Sequence, residues 1–341
     1  MPAMTLLRWP ALALALVSGA AGAGHFTFQD WEVACDNTRR CEAAGYQRED
    51  QFPPIVLWLA RAPGADAPVR AKFVPMTEDG EEAKGPLTVR IGQVTVRGLQ
   101  ANAELAPAQV AKMLPPMLNA GAAQVTAGQR TWTLSLAGMK AALLKLDDVQ
   151  GRVGTPTALA MPGARPAGSV LPALPAPVVR PLPAVAARKD DARLLAPIVK
   201  TLTHGGCEND GDIADDHRDN SIHRLSASQV LLVLECGRGA YQSSYELWTA
   251  SDRPPYGAKR VKVPDSTGGD GYVMNPSFED NRLSSMGKGR GIFDCGAWAT
   301  WAWTAAGFQL IEASSAQQCR GFTGGYSLPD YTATVVQPGA R

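Results

Sequence analysis

Residues 155–188 read TPTALAMPGARPAGSVLPALPAPVVRPLPAVAAR. Eight prolines fall in this stretch: Pro156, Pro162, Pro166, Pro172, Pro175, Pro177, Pro181 and Pro183. Each fixes φ and removes a backbone donor, so the stretch supports neither a sheet nor a long helix. Drawn out as polyproline II, Pro162 to Pro183 would span roughly 65 Å at about 3.1 Å per residue. The expected form is a semi-rigid, partly disordered spacer. The other arrangement is a strap lying along the first domain through Val170, Leu171 and Leu174. The tract divides the chain into a leader at 1–23, an N-terminal domain at 24–154, the Pro/Ala-rich linker at 155–188 and a C-terminal domain at 189–341.

Periodicity on the two sides differs. In the first part, Thr27 to Ala34 alternates like one edge strand, and Ile55 to Leu59 is apolar enough to be a buried strand. Val69 to Val74, Leu87 to Ile91, Val94 to Val96 and Thr131 to Leu136 add further strands. Met139, Ala142, Leu143, Leu146 and Val149 recur at helical spacing, with Ser135 as N-cap and Gly151 where a C-cap glycine belongs. Val110, Met113, Leu114, Met117 and Leu118 predict another helix. Pro107 suits its first turn, and Pro115 and Pro116 should shorten or kink it. The second part opens with a helix through Leu194, Leu195, Ile198, Val199 and Leu202, with Pro197 as a defect. Strands follow at Val230 to Cys236, Tyr241 to Trp248, Ala258 to Val263, Gly271 to Met274, Ala297 to Thr304 and Phe308 to Ala313. The expected fold is α+β: an N-terminal β-sheet domain with one or two helices, a Pro-rich linker, and a C-terminal, mostly antiparallel β domain.

The first residues behave as an export signal. Arg8 gives a positive start, Trp9 to Val17 is a short apolar run, and Ala21-Gly22-Ala23 is a small-residue cleavage site. The run is too short to span a bilayer, and no later stretch is long enough. A periplasmic or secreted protein is expected, with no integral membrane segment after cleavage. Losing Arg8 reduces the 33 basic residues to 32, matching the 32 acidic ones. A neutral chain has no field to draw it to nucleic acid.

Six cysteines, Cys35, Cys41, Cys207, Cys236, Cys295 and Cys319, follow the leader. An even count in an exported chain reads as disulfides, and six cysteines allow fifteen connectivities. If each domain folds alone, Cys35 must pair with Cys41, and three arrangements remain for the other four. Nearest-neighbour pairing, Cys207 with Cys236 and Cys295 with Cys319, is the one adopted. A zinc site from His204, Cys207, His217, His223 and Cys236 has the ligand types but no paired C-x-x-C.

Other constellations are weaker. Glu208 to Asn220 is dense in carboxylates, and Asp210, Asp212, Asp215 and Asp219 could surround calcium, but the spacing is not that of an EF-hand. The run Met286 to Gly296 is glycine-rich and basic, yet a strand follows it, not a helix. Its plain reading is a tight turn, with Arg290 and Asp294 tying the loop. Strand parity puts Trp301 and Trp303 on one face and Trp298 on the other. There is no G-x-S-x-G elbow. His25 lies at the mature N-terminus and is expected to be mobile.

Four strings carry a resemblance. The first is Phe28-Gln29-Asp30-Trp31-Glu32-Val33-Ala34-Cys35-Asp36-Asn37 with Cys41-Glu42-Ala43. The second is Ser135 to Leu144 with Gln150-Gly151-Arg152. The third is Cys236-Gly237-Arg238-Gly239-Ala240-Tyr241. The fourth is Lys288-Gly289-Arg290-Gly291 through Asp294-Cys295-Gly296, with Trp301, Trp303, Phe308 and Cys319-Arg320-Gly321. By these the chain resembles the exported Gram-negative bacterial proteins called domain of unknown function 1176. Its first domain is similar, more weakly, to the invasion-associated locus B family. Ile292-Phe293 stands where a smaller residue or glycine is expected. The resemblance implies export and supports the cysteine pairing; it implies no catalytic residue, cofactor or metal. The function expected is non-catalytic binding, with an envelope protein or a glycan as partner and Trp298 or Tyr241 on an exposed patch. The alternative is a hydrolase or carbohydrate-active enzyme with a site around His217, His223, Arg290 and Asp294.

Overall fold

A computed structural model describes residues 24–207 and 218–337. The expected leader, 1–23, lies outside the described residues, as do Asp210, Asp212, Asp215 and His217 of the acidic segment. The chain is mostly β. The first sheet is a meander of β1 (Gly24–Phe28), β2 (Trp31–Cys35), β3 (Cys41–Tyr46), β4 (Ile55–Arg61) and β5 (Val69–Pro75), antiparallel throughout. Strands β2, β3 and β4 are buried along their whole length, so both faces of this sheet are covered.

The single strand expected at Thr27 to Ala34 is instead the hairpin β1–β2. Gln29 takes a positive φ of 53° in the turn, and Phe28 pairs back to Trp31. The reversal lets Asp30 accept a hydrogen bond from Ser135 Oγ at 2.6 Å, and its backbone N–H donates to Ala137 O.

A second sheet has the order β7 (Val94–Gln100), β6 (Pro86–Ile91), β8 (Ala122–Ala127) and β9 (Arg130–Ser135). With helices α1 (Pro107–Met117) and α2 (Met139–Val149) it closes one core against the first sheet. Trp31 and Trp132 are the largest side chains there. Their indole N–H groups donate to Ser135 O and Met76 O, so burial leaves neither donor unpaired.

Ser135 is not the cap of α2. The N-cap is Gly138 at φ 93°, packed so closely on the Phe28 carbonyl that a Cβ would collide with it. Past the other end, Gly151 adopts φ 67°, and the N–H groups of Gly151 and Arg152 close the helix onto Asp148 O and Asp147 O. Helix α1 runs through Pro115 and Pro116 to Met117, whose burial with Met113 and Leu114 outweighs the lost donors.

The Pro-rich segment hydrogen-bonds to the body at several points. Leu171 N donates to Gln150 O, and Leu174 N donates to Thr38 O. Strand β10 (Val178–Val179) pairs in parallel with β21 (Thr334–Val335). Leu182 N donates to Trp303 O, and Asn281 Nδ2 donates to Leu182 O and Pro183 O. Arg152 anchors the start of the segment. It is fully buried, and its guanidinium donates to Gln150 Oε1, Thr157 Oγ1 and the carbonyls of Ala62, Gly64 and Ala65.

Beyond it, the expected helix is a 3-10 turn over Asp191–Leu194 followed by the short α3 (Leu195–Val199). Pro197 falls in the first turn of α3, where a backbone N–H has no helical partner, so it is no defect. Two antiparallel sheets then face each other. One holds β11 (Ser221–Arg224), β12 (Gln229–Arg238), β13 (Ser243–Ser251), β14 (Lys259–Val261) and β15 (Val273–Met274). The other holds β16 (Ser277–Glu279), β17 (Arg282–Lys288), β18 (Gly296–Thr304), β19 (Gly307–Ala316) and β20 (Leu328–Thr332). Leu231, Val233, Leu247, Leu283, Trp301 and Trp303 fill the space between them. Phe322 and Leu328, near the C-terminal end, cover the outer face of the first sheet through Tyr46, Val56, Trp58 and Val74.

Candidate functional site

The most catalytic-looking cluster joins the two ends of the chain. His25 Nε2 lies 2.9 Å from Glu32 Oε2, and His25 Nδ1 lies 3.1 Å from Asp330 Oδ1 and 2.8 Å from Ser315 Oγ. Serine, imidazole and carboxylate are therefore in contact. The protonation is wrong for a triad. Burial pulls the imidazole pKa down, but hydrogen bonds to Asp330 and Glu32, and their charges, outweigh it and raise it to about 9. A cation held between two carboxylates has no lone pair to accept a serine proton. Ser315 Oγ instead donates to Asp330 Oδ2 at 2.6 Å. Glu32 is 0% exposed and accepts from Tyr46 OH and from Gln317 N as well. The cluster is a buried clasp. It corrects the expectation of a mobile His25, whose side chain is 5% exposed: buried Glu32 and half-buried Asp330 hold the ring.

The residues singled out for an enzyme do not form one cluster among those described. His223 bonds Ser221 Oγ and lies against the Phe278 ring, and burial lowers its pKa. Arg290 pairs with Asp294, which also accepts from Gly321 N. Although burial of Asp294 works the other way, these bonds hold its carboxyl below the usual range. Arg290 further donates to Cys319 O, so this pair ties the glycine-rich loop to the disulfide behind it. Asp219 receives a bond from Tyr245 OH. The disulfides join Cys35 to Cys41, Cys207 to Cys236 and Cys295 to Cys319, each cysteine to its neighbour in sequence. Asp294, Cys295 and Cys319 lie within metal-ligand distance of one another, but both sulfurs are bonded to each other and the carboxylate is engaged.

The aromatic residues separate by face. Trp301 and Trp303 are buried in the core between the sheets. Trp298 is half-buried on the opposite face. It touches Phe293 with ring centres 5.5 Å apart, and the backbone of Gly325 lies close to its ring. Phe293 has φ 55°, a conformation that favours glycine; a smaller residue or glycine is expected at Ile292-Phe293. Beside it, Ile292 is 68% exposed and Tyr241 is exposed next to Gly291.

Trp298 opens onto a groove whose floor is the outer face of β17, β18 and β19. Pairing aligns Ser284, Thr300 and Glu312 in one row across these strands, and Met286, Trp298 and Ser314 in the next. A pocket of about 390 Å³ includes Trp298, Thr300, Glu312 and Ser314. It adjoins one of about 800 Å³ walled by the β2–β3 turn through Asp36, Thr38, Arg40 and Glu42. Arg282 lines this second space and a third, of about 580 Å³, walled by Pro181, Leu182, Pro183 and Ala184. The Pro-rich segment is thus one wall, the N-terminal sheet supplies another, and the C-terminal sheet is the floor.

The charges in the groove differ in how they are engaged. Arg40 pairs with Glu42, which also accepts from Trp58 Nε1 at 2.6 Å. The side chains of Arg282 and Glu312 have no hydrogen-bond or ion-pair partner among the described residues, and Ser314 Oγ has none either. Sequence reading picked out Trp298 but missed Arg282, Ser284, Thr300, Glu312 and Ser314. The only local signal was Ser284 two residues from Arg282 in β17 and Ser314 two residues from Glu312 in β19, and Met286 and Ala302 break the alternation.

Comparison with known proteins supports one assignment. The chain belongs to the family described as protein of unknown function DUF1176, whose model matches residues 25–336. It is 28% identical over 331 residues to the uncharacterized protein YpfG of Escherichia coli (strain K12), covering 89% of this chain and 90% of that one. No solved structure matches the chain. The family match runs from the clasp histidine at one end to β21 at the other, so it includes every wall of the groove.

Proposed function

We propose that this protein is an exported, non-catalytic binding protein that holds its ligand in the groove over β17–β19. Arg282 and Glu312, without a partner among the described residues and set among hydroxyl groups on the floor that ends at Trp298, carry the reading. Charged groups left without partners on a concave face are groups available to a ligand. In the cluster with catalytic residue types the imidazole is engaged by two carboxylates and the serine donates to one of them, an arrangement that supports a structural role there. Export through a leader at 1–23 into the periplasm or beyond is supported by six cysteines all held in disulfides, which persist in oxidising compartments. No helix among the described residues is long and apolar enough to cross a membrane. We divide the chain into an α+β lobe at 24–154 and a β lobe at 189–341, with 155–188 as the linker that walls the groove. An envelope protein or an envelope glycan is the partner class.

Capture from an envelope extract tests this. The double variant Arg282→Ala/Glu312→Ala should lose about tenfold or more of the bound material at unchanged thermal stability, whereas Ser315→Ala should retain it. Loss with Ser315→Ala and indifference to the double variant would overturn the reading.

A further inference from the structure

The groove has a chemistry that selects among ligands, and the ligand class derived from it stands on the proposal that the groove is the binding site. Along each strand the rows are about 6.8 Å apart, and neighbouring strands lie about 4.8 Å apart. From the Trp298–Met286 row to Arg282 is four residues of β17, on the order of 14 Å. Trp298 at one end lines the pocket with an aromatic ring that Phe293 touches at a tilt and Gly325 approaches at its edge. Ser284, Thr300, Ser314 and the Glu312 carboxylate come next, then the Arg282 guanidinium.

Three ligand classes fit poorly. An extended peptide adding to a sheet needs a free strand edge, but this floor is a sheet face whose strands are paired on both sides. A lipid chain needs a continuous apolar trough, and here Thr300, Ser314, Glu312 and Arg282 interrupt the apolar Ile311, Tyr331 and Val335. A nucleic acid needs a track of several basic groups to match a charge on every nucleotide, and this floor offers the single Arg282, with Glu279 opposite it and Glu312 in the next row.

We infer that the groove binds an oligosaccharide bearing carboxylates, with a sugar ring stacked on Trp298, sugar hydroxyls bonded to Thr300, Ser314 and Glu312, and a ligand carboxylate paired with Arg282. Each assignment comes from geometry and charge. The C–H face of a sugar matches an indole, its hydroxyls are both donors and acceptors, and a guanidinium fork matches a carboxylate. The open, elongated floor suits a chain rather than a single sugar.

Two probes differing in charge test the assignment on the whole mature chain. One is a hyaluronan tetrasaccharide, which carries carboxylates; the other is chitotetraose, which carries none. NMR titration should shift the Trp298 indole N–H signal, assigned with Trp298→Phe, and the acidic probe should bind about tenfold more tightly than the neutral one. Arg282→Gln should erase that preference without removing the indole shift. Absence of the shift with both probes at millimolar concentration overturns the inference, as does a preference unchanged by Arg282→Gln. If both sugars fail while Arg282→Ala/Glu312→Ala still abolishes capture from the extract, the sugar assignment falls and the groove stands. If that capture is also unaffected, both fall.

Discussion

His25 shows how one residue can look catalytic and be structural. Its ring touches a serine and two carboxylates, and the second carboxylate decides the outcome by holding the proton on. The consequence is a pH dependence of known sign. The folded pKa, about 9, lies above the ordinary value of 6.5. Stability from the clasp is therefore fully present below about pH 6.5 and is lost as pH rises through about 9. The size is about 3 kcal/mol at most. His25→Gln should remove this dependence, so that thermal melts of the two proteins differ most near pH 6 and converge near pH 10. A constant difference across that range would show that the ring is held neutral. None of this is legible locally, because Glu32 is 7 residues away and Asp330 is 305 away. Phe293 is the opposite case. The family strings place a small residue there, and the backbone has the positive φ that explains why.

Elements were most legible where one period dominated. The apolar runs at Ile55 to Leu59 and Val230 to Cys236 became strands buried on both faces, and the spacing from Met139 to Val149 became α2. Strands β3, β8, β10, β11, β16, β17, β20 and β21 were not foreseen. In β17, the sequence Arg282-Leu283-Ser284-Ser285-Met286 offers little apolar signal, since half of it faces the groove. A polar strand of this kind is recognised only once its partners are known. Local backbone demands are sharper. Gly138 combines φ 93° with contact against the Phe28 carbonyl, where the second family string docks on the first. Gly138→Ala imposes both the left-handed conformation on a Cβ and a displacement of the hairpin β1–β2. It should cost about 3 kcal/mol or more by denaturant unfolding, at the upper end of single-residue effects. A cost below about 1 kcal/mol would mean that the hairpin is not seated on α2 as described.

At the scale of the molecule, the two parts read separately in the sequence meet at several places, among them Asn37 with Thr332 and Asp30 with Arg320. The first sheet has its outer face covered by Phe322 and Leu328, and the clasp joins β1 to β20. The groove lies across the same junction, built from the β2–β3 turn, the Pro-rich segment and the C-terminal sheet. Composition could divide the chain at the prolines, but it could not say that the prolines would line a cleft, because that depends on pairing with residues about 150 positions away. Everything proposed of the function depends on ligand meeting the protein on this floor. A photo-crosslinking side chain placed at Ser314, in the full chain in living cells, probes that contact, with the same group at exposed Leu144 on α2 as reference. A discrete adduct is expected from position 314, none from position 144, and the adduct should disappear when Arg282 and Glu312 are both alanine. Adducts from position 144 with none from position 314, or an adduct at 314 unaffected by those alanines, would contradict binding in the groove.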